Sequence, residues 1–552
     1  MNHRLWTALA FAPWLLVFSF LVWDTWFICE DAFIAFRYVR NLVEGRGLVF
    51  NAEERVEGYV HVLWLLELGS LWSWFGWRPE WTAGALSLTF TALTLLATVR
   101  LATRGPITTH RWLTAWMATG LLACSTTFAV WSSGGLETRE FTLLVLLGVA
   151  LLASHSESHS KSFLGSVVFG AAALTRPEGL LLWGCCVAGC LMTSRRARSL
   201  GGLAMLCVPF AVIVGGHFVF RYSYYGEWLP NPYYAKHVRS WYEAGSQYVS
   251  NAALETGLYA MIPLAAFAAW RHRSTSRGRM HFLTLMCVVP HAWYLAHIGG
   301  DHFENRPMDF YWPLLALASA DALIWAGGTA RRFVTVVAFV VFLAYASGLQ
   351  GSIWYLSRKL DTREATTQLC VDVRPTNAPL LFWLPGMAKM SKMSTEMRFA
   401  NTRQLIGLRA REHHVYAVGR VWMWSGYERM HRGILPPDAV TATRAAGVMP
   451  FYLPELTVID LLGLVDRDIA RTGVTVPNTE RMLAHDRKPP PGYLAARGVN
   501  MYVQSPAKTA EQALARAEYA LKVGDDLWLP FESTDLAWVD RAFAGKELRR
   551  RQ

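Results

Sequence analysis

The chain has 552 residues, 53% of them hydrophobic and only 17% charged, with 25 tryptophans. Its apolar residues gather in blocks of about 17 to 20, the length that crosses a bilayer core, which excludes an ordinary soluble fold. The formal net charge of +12 does not mark a nucleic-acid binder, because the basic residues cluster at the ends of apolar blocks, where they orient helices in a membrane.

In chain order, Leu5 to Val22 is a first membrane helix with no small-residue cleavage site after it. With Arg4 in the cytoplasm, Asp24 to Pro79 lies outside, and the next long block, Thr82 to Val99, returns to a basic cluster of Arg100, Arg104 and Arg111. This placement requires the apolar stretch Val60 to Trp77, with Trp64, Trp72, Trp74 and Trp77, to lie along the outer interface rather than cross. The later clusters, Arg195, Arg196 and Arg198, then Arg271 to Arg279, then Arg331 and Arg332, then all fall inside, and the count is roughly 11 spans. The block Phe163 to Thr193 is cut at Thr175-Arg176-Pro177-Glu178-Gly179, which predicts two short helices meeting at a charged break beside an aqueous cavity.

The last span is expected to end near Gln350, and residues 351–552 have the composition of a periplasmic α/β domain. His414 to Val421, Leu456 to Leu461 and Met501 to Gln504 read as strands and Thr509 to Leu521 as an amphipathic helix. Six of the eight cysteines sit in apolar blocks as small hydrophobes. Only Cys29 and Cys370 are expected outside the bilayer, and neither belongs to a metal or redox motif.

The outer loops are dense in charge: Glu30 and Asp31, Arg37 to Glu57, Glu137 and Arg139, Arg221 to Arg239, and Gly299 to Arg306. Arg176, Arg221, Lys236, Arg239 and Arg306 oppose the insertion bias, which points to an anionic partner such as a lipid-linked phosphate. Glu30 and Asp31 follow the first span directly. Two adjacent carboxylates in a partly dry site repel, so one can be tuned as a base while the other orients it or a bound divalent cation. Ionisable residues within spans, which a transport route would need, amount to little beyond Glu255 and Asp321.

The acidic pair, the charged first outer loop and the C-terminal domain resemble the GT-C superfamily of lipid-phosphosugar-dependent glycosyltransferases. The blocks Glu30-Asp31-Ala32-Phe33-Ile34, Phe36-Arg37-Tyr38, Asn41-Leu42, Glu44-Gly45, Gly47-Leu48 and Val56-Glu57-Gly58-Tyr59 are similar to those of enzymes related to the mycobacterial cell-wall β-1,2-arabinofuranosyltransferase. Leu174 to Gly179, Leu229 to Lys236, Gly299 to Asp301 and Ile459 to Asp466 extend the resemblance. It departs at Glu30, where Asp is commoner, at Val60-His61 and at Pro232. The resemblance implies a polytopic helical membrane domain over residues 1–350, including a first outer loop over 24–81, carrying a periplasmic domain over 351–552. It further implies inverting transfer of a sugar from polyprenyl phosphate to an envelope glycan, lipid or protein acceptor, at the periplasmic face of a bacterial inner membrane.

Asp31 is the expected base, with Glu30 beside it. Arg37, Arg176, Lys236 and Arg306 are expected at the donor phosphate, and Glu57, Tyr59, His61, Asp301 and His302 at the substrates. Phosphate is a good leaving group, so the site needs positive charge rather than a general acid. Internal pairing offers each arginine an alternative: Arg37 with Glu44, Arg176 with Glu178, Arg306 with Asp309. No organic cofactor is implied. The rival reading is a lipid-linked glycan transporter or flippase without transferase activity.

Overall fold

The computed structural model describes residues 3–52, 54–104, 109–155, 158–236, 239–327, 332–357, 384–430, 433–524 and 526–551. Arg331 and Cys370 lie outside the described residues.

Residues up to 357 form a bundle of apolar helices. Among the described residues four helical stretches are long and apolar enough to cross a membrane: Pro79–Ala102, Leu200–Tyr225, Arg306–Gly327 and Phe333–Trp354. A fifth is reached if Tyr242–Thr256 and Leu258–Arg271, which meet at 77°, count as one broken span. The bend falls at Gly257, whose φ is +74° and where a side chain would meet the Ala346 backbone at 2.8 Å, so glycine is required on both grounds. Shorter apolar helices such as Glu178–Thr193 fill the bundle. The block Phe163 to Thr193 is indeed split, into His159–Thr175 and Glu178–Thr193. Arg176 is extended between them and Pro177, which lacks an N–H, precedes the second helix.

The stretch Val60 to Trp77 forms one helix, Val62–Phe75, closed by the left-handed Gly76. Its 14 residues rise about 21 Å, short of a bilayer core of roughly 30 Å. Trp74 and Trp77 are exposed, but Trp64 is buried and packs in the core of the outer region, not at an interface. The helix expected to stop near Gln350 continues to Ser357.

Two large apolar cores result, with two small clusters beside them among the described residues. One fills the bundle. The other joins the first outer loop (Phe33, Phe36, Tyr38, Trp64) to the C-terminal region (Phe451, Tyr452, Leu453, Val458, Phe531). The latter region contains a parallel pair, Val440–Thr443 with Thr457–Asp460. It also contains an antiparallel sheet in the order Tyr502–Val503, Leu527–Glu532, Tyr519–Gly524, Leu548–Arg550. The strands expected at Leu456 to Leu461 and Met501 to Gln504 are present. His414 to Val421 is not a strand but part of helix Ala410–Met430. Its buried Ala410, His413, Ala417 and Trp424 recur at helical spacing, a period that overrode the β-branched residues between them. The helix expected over Thr509 to Leu521 is confined to Ala510–Leu514, capped by the Thr509 side chain, and after a turn over 515–518 the chain enters strand Tyr519–Gly524.

Motif residues of the first outer loop tie the two parts together. Arg37, 3% exposed, donates to the carbonyls of Phe50 (2.7 Å), Pro450 (2.6 Å) and Leu456 (2.8 Å). Arg40 donates to the carbonyl of Phe451 at 2.6 Å. Arg37 is therefore a structural bolt rather than a phosphate ligand. It does not pair with Glu44, whose partners are Arg40 and Arg46. Arg37→Met strands several buried carbonyls, and we expect it to destabilise the protein by about 3 kcal/mol or more. Thermal melts and limited proteolysis in detergent check this; an unchanged melting temperature and digestion pattern would refute it.

Candidate active site

Asp31 is the N-cap residue of helix Ala32–Val43. Aspartate in that position ordinarily accepts a bond from the next turn's backbone, yet this side chain makes none. Half-buried, it has no hydrogen bond or ion pair among the described residues, and it lines a cavity of about 770 Å³.

Glu30 also lines the cavity but is held differently. Its Oε1 accepts hydrogen bonds from the backbone N–H groups of Gly447 (3.0 Å) and Val448 (3.1 Å) in the C-terminal region. A Cβ at residue 447 would lie 2.1 Å from the Glu30 carbonyl oxygen, so only glycine permits this approach. Burial, and then the negative charge of Asp31, push the Glu30 carboxyl up to about 7.

Several segments build the remaining walls. The first loop contributes Tyr59 and His61, the helix break Arg176 and Glu178, the segment after the long helix Pro232 and Lys236, and the loop before Pro307 Asp301, His302 and Arg306. The C-terminal region adds Glu412, His413, Tyr416, Arg444, Asp460 and His485. The expected residues Asp31, Glu30, Arg176, Lys236, Arg306, Tyr59, His61, Asp301 and His302 thus come together. Arg37 and Glu57 do not: Glu57 lies behind the wall, clamped by Arg221 at 2.5 and 3.2 Å.

Glu137, missing from the expected site, is the hub of its cationic side. It is 2.6 Å from Arg306, 3.6 Å from Arg176 and 3.7 Å from His61. Burial opposes its charge, but Arg306, His61 and Arg176 together hold its carboxyl below the ordinary value. Arg176 pairs with Glu178 at 2.5 Å, whereas Arg306 pairs with Glu137 and not with Asp309, which is bound to the buried Arg139. Burial, reinforced by Arg306 and Arg176 against Glu137, pushes His61 down. Two of the expected phosphate cations therefore carry acidic partners already, while Lys236 and Arg444 have none among the described residues. No cluster of three His, Cys, Asp or Glu side chains that could hold a metal ion occurs among the described residues.

Toward the bundle the wall becomes apolar, with Leu180, Val214, Phe218 and Ile298. One cavity therefore joins a carboxylate, a set of cations and a greasy flank, an arrangement suited to an amphiphilic anion. Apart from Asp460, which lies in the block Ile459 to Asp466, the C-terminal contributors were not legible as site residues, because they lie some hundreds of positions from Asp31 and carry no local motif.

Two crystal structures of ArnT from Cupriavidus metallidurans superpose over nearly the whole chain. The apo form gives a TM-score of 0.55 at 15% identity, covering 95% of this chain and 97% of that one. The form bound to undecaprenyl phosphate gives 0.56 at 16%, covering 96% and 98%. The fold is the GT-C fold.

Sequence relatives agree with the GT-C assignment. The terminal β-(1→2)-arabinofuranosyltransferase of Corynebacterium glutamicum is 26% identical over 380 residues, 62% of this chain and 54% of that protein. The protein of the same name from Mycobacterium tuberculosis is 32% identical over 304 residues, 49% and 45% respectively. The chain thus matches about half the length of these relatives. Residues 409–533 match a family described as Domain of unknown function (DUF8728).

Glu30 makes the site's pH dependence testable. Its folded carboxyl titrates at about 7 against an ordinary 4.5, so between those values the folded state binds a proton that the unfolded chain has lost. Stability then falls as pH rises through this window, by on the order of 3 kcal/mol. Melting curves between pH 5 and 8 should slope downward, and Glu30→Gln should flatten them. Parallel curves for the two proteins would contradict the assignment.

Proposed function

We propose that this chain is a membrane glycosyltransferase that moves a sugar from a polyprenyl phosphate donor to an acceptor hydroxyl, with inversion. The observation that carries the reading is Asp31: an unengaged, half-buried carboxylate in the same cavity as Lys236, Arg444, Arg176 and Arg306. The names of the sequence relatives and the lipid phosphate bound to ArnT support the substrate class.

In this reading the prenyl chain follows the apolar flank and its phosphate meets the cations. Asp31 takes the proton of the acceptor hydroxyl as that oxygen attacks the anomeric carbon from the face opposite the phosphate. The bond between the anomeric carbon and the phosphate oxygen breaks, and the phosphate leaves as an anion that the cations stabilise, so no general acid is needed. Glu30, tethered to the backbone, shapes the electrostatics around Asp31. Tyr59, His61, Asp301 and His302, which line the same cavity, are assigned in this reading to the sugars. A pentofuranose such as arabinofuranose is the candidate sugar, and an envelope glycan, lipid or protein the acceptor. The membrane is the bacterial inner membrane, with the N-terminus cytoplasmic and the cavity and C-terminal domain periplasmic.

The transporter reading has less support, because the two acids that the sequence places within spans are both engaged. Glu255 is bound by Arg409 at 2.6 Å and Asp321 by Arg277 at 2.6 Å.

Purified protein incubated with a panel of polyprenyl-phosphate sugars should release lipid phosphate. Asp31→Asn, which keeps shape but removes the proton acceptor, should lower transfer by about 10² to 10⁴ while donor still binds, and Glu30→Gln should cost less. A folded Glu30→Gln, Asp31→Asn double variant with full transfer would overturn the mechanism.

A further inference from the structure

Most cations around the cavity are already compensated. Arg176 faces Glu178 and Glu137, Arg306 faces Glu137, and Arg221 faces Glu57. A phosphate placed between Arg176 and Arg306 would also meet the Glu137 carboxylate and gain little net attraction. Lys236 and Arg444 differ. Both are exposed on the cavity wall, and neither has an acidic partner among the described residues.

His485 connects them. It lines the same cavity, and its imidazole is pushed down by burial, partly offset by its bond to the Leu483 carbonyl, and then by the neighbouring His302, Lys236 and Arg444. All three side chains line one cavity, so the two uncompensated cations share it. Arg444 also immediately precedes the Ala445-Ala446-Gly447 segment that carries the amides holding Glu30, so this charge lies close to the proposed chemistry.

Resting on the transferase reading, we propose that Arg444 of the C-terminal region and Lys236 of the membrane region together form the subsite for the donor's phosphate. Segment 409–533, whose family has no stated function, is then a working part of the active site. A planar guanidinium can hold two phosphate oxygens at once while the ammonium supplies a point charge. Arg176 and Arg306 serve instead to fix Glu137 and the cavity wall.

Polyprenyl phosphate in detergent micelles, titrated against the full chain by tryptophan fluorescence, tests the proposal without requiring transfer. Arg444→Gln and Lys236→Gln should each weaken binding by about ten- to a hundredfold, Arg444→Lys should recover part of the loss, and Arg516→Gln, an exposed arginine of the same segment outside the cavity, should change nothing. Arg444 anchors no buried partner, so the melting temperature should be retained. Unchanged affinity in Arg444→Gln would overturn the proposal. So would a loss confined to the acceptor's KM, since the bound anion would then belong to the acceptor. Failure of the wild-type protein to transfer any sugar while these binding results hold would sink the transferase reading and leave the lipid-phosphate subsite standing.

Discussion

The buried arginines Arg37 and Arg40 donate to backbone carbonyls of residues 450–456, more than four hundred positions away in the chain. A guanidinium in a dry core is costly unless its donors are satisfied, and here carbonyls from two chain segments satisfy them together. The same contact brings the Gly447 and Val448 amides onto Glu30. The cavity and the orientation of its acidic pair both follow from this one docking.

Charge is apportioned within that frame according to function. Several buried ions are paired, as with Arg139 and Asp309, Arg409 and Glu255, and Arg221 and Glu57. Asp31, Lys236 and Arg444, which have no such partner among the described residues, line the cavity. An unpaired charge there stays wet in the empty site and meets its counter-charge only when substrate arrives. Glu137 stands between the two classes, neutralising the arginines that would otherwise compete for the phosphate.

Legibility in the sequence followed the range of the interactions. The apolar blocks, the break at Arg176-Pro177 and the acidic pair could be read because each depends on neighbours along the chain. Periodicity in short polar stretches was less secure: residues 414–421 carry a strand-like alternation, but the period that decides is that of Ala410, His413, Ala417 and Trp424. Motif membership also hid two roles. Arg37 and Glu57 belong to the most specific blocks, yet they hold backbone and a buried ion pair rather than substrate. The roles of Arg444, His485 and Glu137 depend on contacts between distant segments, which no local pattern encodes.

The central claim is that a lipid phosphosugar enters this cavity with its anomeric carbon beside Asp31. An electron cryomicroscopy reconstruction of the protein with a non-hydrolysable polyprenyl phosphonate sugar tests it most directly. The account predicts density with the phosphonate at Lys236 and Arg444, the prenyl chain along Leu180, Val214 and Phe218, and the sugar next to Asp31. Density with the sugar remote from Asp31, or a lipid bound outside the cavity, would contradict it.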